Sequence, residues 1–254
     1  RVRASANYDA ARDLVRGLPR VSTSISPREA VVTHMRILFV HGMGRSPLSA
    51  WPMLRRLRRE GLDTSTFAYG VSRENFPVIR DRLVARIRAL AGQGDYVLIG
   101  HSLGGVLLRA ALNVLPATMA PPCHLFLLGS PVKAARLAAR LQRNPIYRRI
   151  TGDCGQRLAS DHRMQEIGPV AIATTSIVGT RGITMAAGPF DGEPNDGVVS
   201  LSEVSASWID EQIGVPLVHT WLPSSPQVAR MVLRSLDRRG LWPSYRHGQP
   251  DATI

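Results

Sequence analysis

Between Tyr96 and Leu108 the chain runs Tyr-Val-Leu-Ile-Gly-His-Ser-Leu-Gly-Gly-Val-Leu-Leu, and no other stretch restricts the fold so tightly. A short apolar run ends in Gly-x-Ser-x-Gly, and an apolar, helix-compatible segment follows. That order predicts a strand, a sharp turn and a helix, with the central serine raised at the top of the turn. The central residue of such a turn sits in a strained backbone conformation, so the chain can fold back on itself only past small neighbours. Gly100 and Gly104 supply them, and Gly105 extends the pattern.

A turn of this kind belongs to a layered α/β domain, and the rest of the chain fits one. Arg36 to Val40 has the pattern of a buried strand and runs into a glycine-rich turn, His41-Gly42-Met43-Gly44. Ser46-Pro47 predicts a helix start, with an amphipathic helix continuing to about Glu60. A strand over Asp63–Tyr69 follows, then a helix from Pro77 whose Val78, Ile79, Leu83, Val84, Ile87 and Leu90 form an apolar face. After the elbow, His124–Leu128 and Val170–Val178 are predicted strands, Val215–Val218 a short one, and Pro226 opens a closing helix ended by Gly240. Strands alternating with helices imply a mostly parallel sheet covered on both faces. Residues 132–168 break the alternation: Ala134–Leu141 is helical, but Asn144-Pro145 and Gly152-Asp153-Cys154-Gly155 interrupt it. An insertion there lies over the carboxyl ends of the strands, where such folds bind ligands, and is expected to form a small cap or lid; an ordinary surface excursion is the alternative.

The two ends stand apart from a domain spanning 35–242. Residues 1–34 are polar and mixed in charge, without the apolar stretch of a secretory signal, and the first methionine is Met35. They are expected to be an extension that is loosely ordered or precedes the native start, with an amphipathic helix near 8–18 as the alternative. Residues 243–254 form a polar tail. No window approaches the ~18 uninterrupted apolar residues of a membrane span, which favours a cytoplasmic protein. The formal charge is +13, carried almost wholly by arginine, with Lys133 the lone lysine. A solvated arginine-rich surface accounts for it, and peripheral contact with an anionic membrane is the sharper reading. No nucleic-acid-binding motif accompanies the charge. Two cysteines make no disulfide framework: Cys123 opens an apolar run and is expected to be buried, Cys154 lies in a glycine-flanked loop, and a bridge between them is left open.

Acyl transfer needs a nucleophile, an oriented base and donors for an oxyanion. Ser102 is the candidate nucleophile. In a strand–elbow–helix domain the acid and then the base follow the serine in the chain. His124 begins a strand at the wrong end, His162 lies in the insertion and His247 in the tail, leaving His219 as the base. Asp196, in Asn195-Asp196-Gly197-Val198-Val199, is the acid by position, with Asp191 in the same loop as competitor and Glu203 further along. The N–H groups of Leu103 and Met43 are the oxyanion donors. No His or carboxylate spacing suggests a catalytic zinc site.

Val-His-Gly-Met-Gly at 40–44, Gly-His-Ser-Leu-Gly-Gly at 100–105, Asn-Asp-Gly-Val-Val-Ser at 195–200 and Val-His-Thr-Trp at 218–221 resemble the α/β-hydrolase superfamily, in particular its small bacterial lipases and esterases. Leu128-Gly129-Ser130-Pro131, Tyr147 and Thr151 to Leu158 are similar to a segment those proteins carry after the strand that follows the elbow. The resemblance implies a Ser102–Asp196–His219 triad, an oxyanion hole from Met43 and Leu103, a small-molecule or lipid ester as substrate, and no cofactor. It leaves open esterase, lipase, thioesterase or acyltransferase chemistry, and a non-catalytic binding role. Arginines at 136, 140, 143, 148, 149 and 157 make the insertion less oily than a lipase lid. A short- or medium-chain esterase is the expectation.

Overall fold

The computed structural model describes residues 35–183, 185 and 188–242. The expectations for 1–34 and for the 243–254 tail, His247 included, lie outside the described residues. In chain order the elements are β1 (Arg36–Val40), α1 (Trp51–Arg59), β2 (Asp63–Phe67), α2 (Phe76–Ala91), β3 (Tyr96–His101), α3 (Leu103–Leu112), β4 (His124–Leu128), α4 (Arg136–Leu141), α5 (Pro145–Leu158), α6 (Asp161–Gln165), β5 (Thr174–Gly179), β6 (Glu211–Val215) and α7 (Pro226–Arg238). Six strands form one sheet in the order β2-β1-β3-β4-β5-β6. Every ladder among them is parallel.

Parallel strands need helices on both faces, and the sheet's alternating side chains divide the core accordingly. Leu38, Val40, Leu98, Leu125 and Leu127 join the cluster under α2, α3 and the α4–α6 segment. Ile37, Phe39, Val97, Ile99, Phe126 and Leu128 join the opposite cluster, under α1 and α7. Both faces of β3 and β4 are fully buried, which is why these strands are apolar without alternation. The sheet is that of the α/β-hydrolase fold, and its strand ends at Val40, His101 and Leu128 lie side by side at the C-terminal edge.

Four local expectations are corrected. Ser46 makes no side-chain cap, and Pro47–Ala50 is a 3-10 turn before α1 begins at Trp51. The Gly152–Gly155 break is no loop: α5 runs through it with a kink at Gly152, whose φ is 53°. Cys154 is therefore a buried helix residue, while Cys123 is half-buried, and both thiols are free. The last strand is Glu211–Val215, four residues before the expected one, and His219 opens a 3-10 turn, His219–Ser224. This edge strand alternates half-buried and exposed side chains, so its Glu-Gln start lacked the apolar signal of the inner strands. Among the described residues no helix is long and apolar enough to cross a membrane.

Candidate active site

Ser102 stands between β3 and α3 with φ 52° and ψ −124°, a left-handed conformation that a side chain adopts only under constraint. The constraint is steric and local. A Cβ on Gly100 would lie 2.4 Å from Gly105 Cα, and one on Gly104 would lie 2.1 Å from the Val40 carbonyl oxygen. Glycine at both positions lets α3 start directly against the ends of β3 and β1. The elbow is held down by the Ser102 N–H, which donates to the Leu128 carbonyl of β4 at 2.9 Å.

The Met43 and Leu103 N–H groups sit on the two strand-to-helix connections that meet at Gly104. Leu103 is the first residue of α3, so its N–H has no partner within the helix. The Arg45 N–H donates back to the Gly42 carbonyl at 3.2 Å, closing a turn around Met43. Among the described residues neither the Met43 nor the Leu103 N–H is used in a backbone hydrogen bond outside a helix or strand. His41 braces this turn: its ring stacks on Tyr69 at 4.3 Å between centroids, and the Tyr69 hydroxyl donates to the His41 carbonyl at 2.7 Å. The Tyr69 N–H approaches His41 Nε2 at 3.4 Å, which assigns the proton to Nδ1, donating to the Gly42 carbonyl at 2.9 Å. Burial holds the His41 imidazole below its ordinary pKa, and therefore neutral.

Asp196 is 1% exposed and its carboxylate is fully engaged. Oδ1 accepts from the Val198 and Val199 N–H groups at 2.9 Å each, and Oδ2 meets His219 Nδ1 at 2.6 Å. The His219 N–H also donates to the Asp196 carbonyl at 2.9 Å, so backbone and side chain of the two residues are joined twice. Space for the pair comes from Gly129, beyond β4, with φ 53°: a Cβ there would lie 2.9 Å from Asp196 Oδ2 and 3.0 Å from His219 Nδ1. His101, next to the serine, tilts against His219 at 4.8 Å and donates from Nε2 to the His219 carbonyl at 3.1 Å. Burial first, then the charges of His219 and Arg45, push His101 well below the usual histidine range. It is a neutral bracket between elbow and histidine loop.

The competing acids are placed elsewhere. Asp191 points to solvent, its side chain 73% exposed and 3.4 Å from the Arg136 guanidinium. Glu203 is buried but accepts from the Ser200 N–H at 2.6 Å and from the Arg136 N–H, tying the acid loop to α4. His162 is exposed on α6, and His124 is buried at the far end of β4, with Nε2 2.9 Å from Thr175 Oγ1.

Asn195, which the sequence reading passed over, fixes the loop that carries Asp196. Its Oδ1 accepts from the Ile183 and Gly197 N–H groups at 2.8 and 3.0 Å, and its Nδ2 donates to the Ile183 and Glu193 carbonyls at 2.7 and 2.8 Å. An Asn-Asp-Gly triplet is a turn signal in any chain, and nothing in it shows that the amide is satisfied from 12 residues away.

The structure thus brings Asp196 to His219 and Met43 to Ser102. No hydrogen bond joins Ser102 to His219 among the described residues; such contacts are often long before substrate binds. Met43, Ser102, Ala138, Leu141, Tyr147 and Val198 line an apolar cavity of about 90 Å³ beneath α4 and α5. Val198 also borders a more open cleft of about 320 Å³ against Asp196 and His219. Among the described residues no three His, Cys, Asp or Glu side chains form a metal-binding group.

No protein-family model and no curated protein sequence matches the chain. Solved structures do match. The mature Bacillus licheniformis lipase BlEst2 superposes with a TM-score of 0.60 over 81% of this chain and 92% of its own, at 16% identity. The metagenomic carboxyl esterase MGS0156 gives 0.58 over 88% and 81%, at 16% identity. The Streptomyces coelicolor thioesterase RedJ, of the prodiginine pathway, gives 0.54 over 79% and 88%, at 18% identity.

Proposed function

We propose that this α/β-hydrolase-fold protein is a serine hydrolase of carboxylic esters, with Ser102 as nucleophile, His219 as base and Asp196 as the group that orients it. One observation carries the reading: a serine in strained left-handed geometry shares the C-terminal edge of the sheet with a buried Asp–His pair. Strain of that kind persists only where the surroundings enforce it, and it clusters at functional sites. The lipase, esterase and thioesterase among the structural neighbours fit the same chemistry.

In this mechanism the Asp196 carboxylate holds the His219 proton on Nδ1, leaving Nε2 free to take the proton of the Ser102 hydroxyl. Ser102 Oγ attacks the ester carbonyl, and the oxygen of the tetrahedral intermediate receives the Met43 and Leu103 N–H groups. His219 returns the proton to the departing alcohol, leaving an acyl group on Ser102. Water, activated by the same base, then hydrolyses that ester. Thioester hydrolysis and acyl transfer to another alcohol use the same residues. The 132–168 segment acts as a cap: Ala135, Leu137, Ala138 and Leu141 close the acyl cavity, whose modest volume suits short or medium chains. A small-molecule or lipid ester is the substrate class, with no cofactor in the reaction.

The test is hydrolysis of p-nitrophenyl esters of increasing chain length, alongside labelling by a fluorophosphonate probe. Activity and labelling that both vanish in Ser102→Ala support the reading, with an optimum at short or medium chains. A protein that neither hydrolyses the series nor labels would be a binding protein on a hydrolase fold.

A further inference from the structure

We infer that, on the ester-hydrolase reading of Ser102, Arg136 is a positioning residue that sets acyl-chain specificity. It clamps cap helix α4 to the loop that carries Asp196, so an acyl chain too large for the cavity is penalised in kcat, through the catalytic acid. That loop has a closed neck and a working tip. At the neck, the Ser202 hydroxyl donates to Glu193 Oε2 at 2.9 Å and the Ser202 N–H to Glu193 Oε1. The Leu201 N–H donates to the Pro194 carbonyl at 2.8 Å, and Asn195 forms an antiparallel bridge with Ser200. At the tip, Val198 and Val199 bind the Asp196 carboxylate through their N–H groups, and the same two residues line the acyl cavity. Ala138 and Leu141 of α4 line it as well. One cavity wall is therefore shared between the cap and the catalytic acid's own loop.

Arg136, the first residue of α4, joins the two parts. Among the described residues it is the one arginine that pairs with three carboxylates, those of Asp191, Glu193 and Glu203. Its guanidinium also donates to Ser200 Oγ at 2.7 Å and Ser202 Oγ at 3.1 Å, so with Glu193 it grips both sides of the neck. A planar fork with five N–H donors can meet acceptors in that many directions. The backbone takes part too. The Arg136 N–H donates to Glu203 Oε1, and Glu203 Oε2 accepts from the Ser200 N–H at 2.6 Å. The Glu203 carbonyl accepts from the Val132 N–H at 2.8 Å, which fastens the entry to the cap. Burial would raise the Glu193 carboxyl, but hydrogen bonds from Arg136 and Ser202 outweigh it and hold it below its ordinary value, so the ion pair persists at neutral pH. Close-packed walls transmit strain. A chain that displaces Val198 or Val199 moves the N–H groups that hold Asp196, and His219 moves with Asp196. Without the clamp α4 yields instead, and longer chains enter while the acid is held less firmly.

The experiment compares the unmodified protein with Arg136→Gln, Arg136→Lys and Glu193→Gln. It measures kcat and KM on p-nitrophenyl butyrate and decanoate, and amide hydrogen exchange. In Arg136→Gln, kcat on butyrate should fall about tenfold while the decanoate-to-butyrate ratio of kcat rises about tenfold, the scale of one or two lost charge-assisted hydrogen bonds. Arg136→Lys should lie between the two, because an ammonium keeps the charge and loses the fork. Exchange at Val198, Val199 and α4 should quicken together in Arg136→Gln. If that variant does not fold, Glu193→Gln removes one leg of the clamp, leaves Glu203 in place and is expected to show the same changes on a smaller scale. A kcat ratio that these substitutions leave unchanged, or a change confined to KM, overturns the clamp even if absolute rates fall. So does exchange that quickens in one segment alone or in neither. Cleavage of neither ester by the unmodified protein refutes the hydrolase reading instead, and exchange that quickens in both segments then still supports the clamp.

Discussion

Replacing Asp196 with Asn tests the site at its most constrained point. The substitution keeps the side chain's shape, so packing beneath His219 is preserved. What changes is decided by the two backbone N–H groups that converge on Oδ1 at 2.9 Å from Val198 and Val199. Only an oxygen can accept from them, so the new amide must leave its oxygen there and turn its NH₂ to the place of Oδ2, toward His219 Nδ1. An NH₂ facing Nδ1 requires Nδ1 to be an acceptor, which moves the imidazole proton to Nε2. The nitrogen that should take the serine proton then already carries one. The corresponding change in Ser-His-Asp enzymes lowers kcat by about 10⁴, or ~5.4 kcal/mol at 1.36 kcal/mol per decade. Stability should fall far less, by about 1–2 kcal/mol, as charge-assisted bonds to backbone N–H become neutral ones. The assay is kcat on p-nitrophenyl butyrate at pH 8, with thermal unfolding as control and ¹⁵N NMR to report the tautomer. A variant within tenfold of the parent rate, or one whose His219 still carries its proton on Nδ1, would refute the reasoning. Asp191→Asn is the contrast, expected to stay within about twofold because that side chain faces solvent and Arg136.

Gly104→Ala places a methyl group 2.1 Å from the Val40 carbonyl oxygen, so α3 and β1 must part by about an ångström and the Met43 and Leu103 donors with them; kcat should fall about a hundredfold with about 1–3 kcal/mol of destabilisation, read from kinetics and denaturant unfolding. Asn195→Ala leaves the Ile183 and Gly197 N–H groups without their acceptor; a loss of at least ~2 kcal/mol is expected, together with lower kcat, and unchanged values of both would show that the loop holds Asp196 unaided. Acid should weaken the fold through two buried, neutral histidines, His101, held well below the usual range, and His124, pushed down to about 4, in both cases chiefly by burial. In the unfolded chain these groups take up protons below about pH 6.5, so the unfolded state binds more protons and stability falls as pH drops from there toward 4. His124→Gln should flatten part of that decline in melting temperature measured from pH 7 to 4, and an unaltered slope would remove His124 as a cause.

Much of this molecule is local, and what is local was legible. The elbow at Gly100 to Gly105 combines a strand, a steric demand for glycine and a helix start within a few residues, so sequence alone placed Ser102 on a strained turn of a parallel α/β domain. Inner strands such as Leu125–Leu128 are apolar because both of their faces are covered, and they too were recognisable. The edge strand Glu211–Val215 was not, since one side of it meets water and its side chains carry little apolar signal. Nor was the continuation of α5 through Gly152, because a glycine that ends a helix and one that kinks it look alike until the neighbouring packing is known. Position within the loop could favour Asp196 over Asp191, but only the tertiary structure turns the first inward to His219 and the second outward to Arg136. The same holds for Asn195 gripping Ile183 and Gly129 making room for the Asp–His pair. Each of these depends on contacts between distant segments, and sequence spacing carries no information about such distances until the sheet has set where its strands end.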